Sequence, residues 1–120
     1  MPAHAAVLLW TGWEGRVGSQ ERFVNADAEG KMHFPGFSEA AVTFLVKERD
    51  VTGIGTDTLS IDQGLDRHFT AHRTLFAANK WALECLAHLG DVPPVGATLI
   101  VGASKVENAS GGPARVYAIW

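Results

Sequence analysis

The chain has 120 residues and 12.9 kDa, with 47% hydrophobic and 19% charged residues, which points to a single domain, 1–120, and excludes a disordered or collagen-like chain. Ten Lys and Arg against thirteen Asp and Glu give a net charge of −3, so no basic stripe is on offer to a nucleic-acid partner. The longest apolar run, residues 5–10, is far shorter than the roughly 18 residues of a membrane span and lacks the flanks of a signal peptide. The lone Cys85 makes no intramolecular disulfide and fits a reducing compartment. A cytoplasmic protein with neither membrane nor nucleic acid as partner is the expectation.

In chain order, residues 5–11 form a continuous apolar run closed by Gly12, the pattern of a strand buried on both faces and central in its sheet. Residues 12–31 keep no period and read as a loop close to a ligand. Ser38 is an N-cap for a helix whose apolar positions Ala41, Phe44 and Leu45 share one face and which ends near Arg49. Residues 51–58 read as a second strand, in which Gly53 and Gly55 let a neighbouring group approach closely. From Asn79, the residues Ala82, Cys85, Leu86 and Leu89 fit one apolar helix face, with Cys85 a small core residue and Glu84 and His88 on the opposite side. Gly90 and Pro93-Pro94 stop that helix. Residues 97–106 and 113–120 are β-rich runs joined by a wide turn at 108–112. The alternation of helix and strand makes the fold class α/β.

The side chains suited to chemistry start with five histidines, His4, His33, His68, His72 and His88, because imidazole is both the commonest metal ligand and the usual base near neutral pH. His68 and His72 make an HxxxH pair that a helix would bring to one face, with Glu84 as an oxygen ligand. The same segment also reads as an ordinary polar stretch, and Glu84 with His88 as a solvated pair. Gly53-Ile54-Gly55 lacks the third glycine of a dinucleotide fingerprint. Ser110 lacks the preceding glycine of a nucleophile elbow and reads as a turn residue. Among the tryptophans, Trp13 is the one whose Gly-rich surroundings suit an aromatic pocket.

Residues 8–13 (Leu-Leu-Trp-Thr-Gly-Trp), His33-Phe34-Pro35-Gly36, residues 53–62 (Gly-Ile-Gly-Thr-Asp-Thr-Leu-Ser-Ile-Asp), the stretch from His72 to Glu84 and residues 111–115 (Gly-Gly-Pro-Ala-Arg) resemble successive blocks of the cyclase family. That family of metal-dependent hydrolases includes bacterial kynurenine formamidases and isatin hydrolases. The resemblance implies a swivelling β/β/α domain, hydrolysis of an amide or lactam such as N-formylkynurenine, and zinc or manganese as the cofactor. It also implies that His72 and Glu84, twelve positions apart as in the family, are metal ligands. Trp13, His33 and Phe34 are the residues expected to line a substrate pocket. The family's HxGTHxDxPxH segment, which supplies its other ligands and a catalytic His, is absent from this sequence, so the chain resembles the C-terminal half of a family member.

Two ligands fall short of the roughly three that a catalytic zinc takes from protein. Three readings stand at this point: a hydrolase subunit whose missing ligands come from a separate N-terminal-half polypeptide or from a part of the protein outside this sequence, a non-catalytic remnant binding a small aromatic molecule, and an oligomeric scaffold domain. A small-molecule substrate belongs to the first. A homo-oligomer is expected as well, because strands apolar on both faces need covering.

Overall fold

Three short parallel strands organise the first 89 residues. In the computed structural model, which describes residues 1–120, the chain forms two compact units, Met1–Leu89 and Gly90–Trp120. In the first unit, β1 (Ala6–Leu9), β2 (Gly53–Thr56) and β3 (Trp81–Leu83) make a parallel sheet in the order β1-β2-β3. The register pairs Val7 with Ile54 and Ile54 with Ala82.

The crossover from β1 to β2 runs through a short 3-10 turn, Trp13–Arg16, then α1 (Gln20–Val24) and α2 (Glu39–Arg49), and the return to β3 runs through α3 (Thr70–Ala77). Parallel strands need such crossovers because no tight turn can join them. α2 begins where its cap is expected: the Ser38 hydroxyl accepts the Ala41 N–H at 3.2 Å, and the helix ends at Asp50 in the left-handed region. The core gathers Phe37, Val42, Val51, Ile54, Ile61, Ala71 and Leu75, with Val7, Leu9, Leu45 and Ala82 packed against it.

Four expectations are corrected. β1 is an edge strand of this sheet, while β2 holds the centre and is buried along its whole length. A continuous apolar run says nothing of which edges are paired, and β1 is only half-buried along its length, so the two strands exchange roles. Residues 12–31 contain the 3-10 turn and α1, with Ser19 capping α1; helices of four or five residues are too short to display a period. The helix expected from Asn79 is replaced by β3 and an irregular segment. Asn79, Cys85 and His88 all adopt positive φ, which no helix tolerates. Cys85, expected in the core, is exposed.

Gly53 explains why a strand forms there. A β-carbon at residue 53 would lie 2.2 Å from the Trp81 ring, so the missing side chain is the space that admits the indole when β3 pairs with β2.

The second unit is a hairpin of β4 (Thr98–Ala103) and β5 (Ala114–Ile119), antiparallel with Ile100 opposite Tyr117 and Val101 opposite Val116, as the sequence indicates. Side chains alternate across a hairpin, which puts Leu99, Val101, Ala103, Ala114, Val116 and Ala118 on one face. The other face carries Ile100, Tyr117 and Ile119, each exposed. The first face is therefore apolar, while the second shares its three apolar side chains with Thr98, Gly102 and Arg115.

Candidate functional site

In parallel sheets, ligands gather at the carboxyl ends of the strands. Here that edge is built around the segment after β2, residues 57–62. Asp57 is fully buried and pulls in the segment after β1: its Oδ1 accepts the Thr11 N–H at 3.0 Å and the Thr11 hydroxyl at 2.7 Å, and its Oδ2 accepts the Glu14 N–H at 3.3 Å. Gly12, at φ 76°, makes the turn that this bonding requires. Glu14 in turn meets the His88 backbone N–H.

The segment after β3 is held by the same stretch. Thr58 and Thr56 carbonyls accept the N–H groups of Cys85 and Leu86 at 2.9 and 3.0 Å. Glu84 Oε1 accepts the Ile61 N–H at 3.1 Å. Thr56 and Thr58, both buried, bond to each other through their hydroxyls at 2.9 Å, so the connection carries no unsatisfied polar group.

His72 and Glu84 come together at this edge. His72 lies in the first turn of α3, and Glu84 follows β3 rather than lying on the polar side of a helix as expected. Their Nε2 and Oε1 atoms are 3.3 Å apart, with the imidazole 24% and the carboxylate 35% exposed. Behind the imidazole, Nδ1 meets Oδ2 of Asp62. Phe69 and Phe76 stand edge-on to the imidazole, at ring-centroid separations of 6.2 and 5.3 Å, and both are half exposed.

A donor pair 3.3 Å apart suits two neighbouring ligands of one tetrahedral ion, because bonds of about 2.0–2.1 Å at a tetrahedral angle separate their donors by about 3.3–3.4 Å. The pair is as far as this chain goes. No group of three or more His, Cys, Asp or Glu residues is arranged to hold a metal. His68 does not complete one: it precedes α3, exposed, with its N–H on Asp66 Oδ1 at 2.8 Å, so the HxxxH pair does not share a helix face.

The pocket candidates differ in exposure. Trp13 is buried, its indole N–H donating to the Phe23 carbonyl at 2.8 Å and the Arg16 guanidinium lying 3.8 Å from its ring centroid. Phe34 is also buried. His33 keeps 45% of its side chain exposed and bonds through Nε2 to Asp27 Oδ2 at 2.8 Å, a contact that holds the Asp27 carboxyl below its ordinary range. His4 pairs with Asp50 on the surface.

Asp57 and Asp62 are the residues that reading the sequence for chemistry leaves unassigned. The available signal was position: Asp57 directly follows β2 and Asp62 lies six residues past its end, at the side where parallel sheets bind ligands.

Comparison with known proteins bears on the family and the fold. An isatin hydrolase of Roseibium aggregatum is 33% identical over 117 residues, which is 94% of this chain and 44% of that protein. The structure of isatin hydrolase A from Ralstonia solanacearum superposes with a TM-score of 0.92 at 38% identity, covering 98% of this chain and 46% of that one. An isatin hydrolase bound to the product analogue thioisatinate gives the same TM-score at 33% identity and the same coverage. The chain thus spans a little under half the length of these relatives. The profile of the family described as "Putative cyclase" matches residues 1–63, more than half of the chain, and on that match the protein belongs to the cyclase family.

Proposed function

We propose that this chain supplies one side of a metal-dependent amide or lactam hydrolase site, with His72 and Glu84 as two of the metal's ligands. The observation that carries the reading is the 3.3 Å approach of His72 Nε2 to Glu84 Oε1 at the carboxyl end of a parallel sheet. A zinc or manganese ion held there would polarise the scissile carbonyl and lower the pKa of a water molecule. The chain's own residues perform the positioning. Ile61 N–H holds the Glu84 carboxylate, Asp62 backs the His72 imidazole, and α3 carries His72 to the edge of the sheet.

The substrate class is a cyclic amide of the isatin kind, supported by the names of the relatives. The open formyl amide N-formylkynurenine, implied by the family resemblance, is the second substrate to assay. Exposed His33 and buried Trp13 and Phe34 remain the chain's candidates for lining the substrate pocket. A separate N-terminal-half polypeptide carrying HxGTHxDxPxH is the partner that would complete the ligand set. A homo-oligomer is proposed too, on the exposed apolar side chains Ile100, Val101, Tyr117 and Ile119 of the β4–β5 hairpin.

The test is reconstitution. The chain is assayed for hydrolysis of isatin and of N-formylkynurenine with zinc or manganese, alone and mixed with the N-terminal half of an isatin hydrolase that carries HxGTHxDxPxH. No turnover is expected from the chain alone, and metal-dependent turnover from the mixture, abolished by Glu84→Gln. Stoichiometric metal retained by the isolated chain through dialysis, with activity lost in His72→Ala, would show that it needs no partner.

A further inference from the structure

We infer that Asp62 is a positioning residue: its single buried carboxylate caps helix α3 and at the same time fixes the tautomer of His72, so that Nε2 turns its lone pair toward Glu84. The inference rests on the proposed role of His72 and Glu84 and deepens it, by saying what Asp62 does behind the imidazole.

The side chain of Asp62 is 2% exposed, and each oxygen has its own task. Oδ1 accepts the Ala71 N–H at 2.6 Å. Helix α3 needs that bond, because its N-cap position is held by Phe69, which offers no capping side chain and sits at φ 52°. A helix start leaves N–H groups without internal partners, and an anion also suits the positive end of the helix dipole. Oδ2 meets His72 Nδ1. An ionised carboxylate only accepts hydrogen bonds, so Nδ1 must carry the proton. A neutral imidazole then has Nε2 as its acceptor nitrogen.

The other side of the ring agrees. Charge-assisted N–H to carboxylate bonds run at about 2.7–2.9 Å, and the Nε2 to Glu84 Oε1 separation of 3.3 Å is longer. Two acceptors facing one another at that distance define a place for a cation. A carboxylate behind a histidine is also the usual way in which an imidazole ligand is oriented.

The backbone gives Asp62 little freedom. Its neighbour Ile61 is fully buried in the core, and Phe37 N–H donates to the Ile61 carbonyl at 2.7 Å. Gly36 lets the strand-like segment before Phe37 lie directly on residue 62, since a β-carbon at residue 36 would sit 2.4 Å from the Asp62 carbonyl carbon. One anchored carboxylate therefore couples the placement of α3 to the orientation of the imidazole that α3 carries.

The test reads the tautomer without metal or substrate, so it can fail while the hydrolase reading stands, and the reverse. Nitrogen NMR of histidine-labelled protein, at a pH where the His72 ring is neutral, is expected to show Nδ1 protonated and Nε2 bare. In Asp62→Asn the carboxamide oxygen can keep the Ala71 bond while its NH2 group faces Nδ1, so the ring is expected to switch to the form protonated on Nε2. Asp66→Ala, which removes the other carboxylate at the start of α3, is expected to leave the tautomer unchanged. A native ring protonated on Nε2, an unchanged tautomer in Asp62→Asn, or a switch in Asp66→Ala would each overturn the inference. Should Asp62→Asn fail to fold, the native tautomer and the Asp66→Ala spectrum still decide it.

Discussion

Trp81 covers Gly53 across the β2–β3 pair, with three of its ring carbons 2.2–2.5 Å from where a β-carbon on residue 53 would be. Neither strand can move away without breaking the ladder that pairs them. Gly53→Ala is therefore expected to cost about 1–3 kcal/mol, the range found for overpacking a filled interior, and Trp81→Leu in the same chain should recover part of it. Denaturant unfolding of the two single variants and the double variant measures this coupling.

Helix α3 is fastened to the core by Leu75, which is fully buried. Leu75→Ala should lower stability by about 2–5 kcal/mol through lost burial and the cavity left behind. Arg73→Ala on the exposed side of the same helix should change it by less than about 0.5 kcal/mol. Thermal unfolding followed by circular dichroism compares the two.

Acid should loosen the start of α3. Asp66 accepts the Thr70 hydroxyl and the N–H groups of His68 and Thr70, and the Thr70 side-chain bond leads in lowering its pKa from 3.8 to about 2. A depressed folded-state pKa means that the stabilisation is fully present above the ordinary carboxylate value and is lost as pH falls through about 2. Native protein should thus be more stable than Asp66→Ala at neutral pH, with the gap closing between about pH 4 and pH 2. Thermal melts of both proteins across that range read the difference directly.

The hairpin should be covered by another copy of the chain. Ile100, Tyr117 and Ile119 are each about half exposed, and a two-stranded hairpin by itself is marginal in water. Sedimentation at micromolar concentration is expected to give a species heavier than the 12.9 kDa chain, shifted toward monomer by Tyr117→Lys. A soluble 12.9 kDa species in the native protein would mean that these faces need no cover.

Much of this protein was legible along the chain. Helix α2 was readable because its cap and its end are local signals, although its buried face centres on Val42 and leaves Phe44, expected on the apolar face, exposed; the β4–β5 hairpin was readable because two β-rich runs flank a turn-forming stretch. The pairing of His72 with Glu84 came from resemblance, and their 3.3 Å approach is consistent with the twelve-residue spacing even though neither occupies the element expected for it. Tertiary structure alone decided the rest. Ala82, Cys85, Leu86 and Leu89 satisfy a helical period, yet the chain there is a strand and an irregular segment, because the bare face of Gly53 accepts Trp81 and that contact exists only after β2 and β3 meet. Asp62 shows the same limit in its chemistry. A carboxylate ten residues before His72 reads in sequence like any solvated acid, and what makes it an orienting group is the burial that removes water from both oxygens and leaves a helix end and an imidazole as its partners.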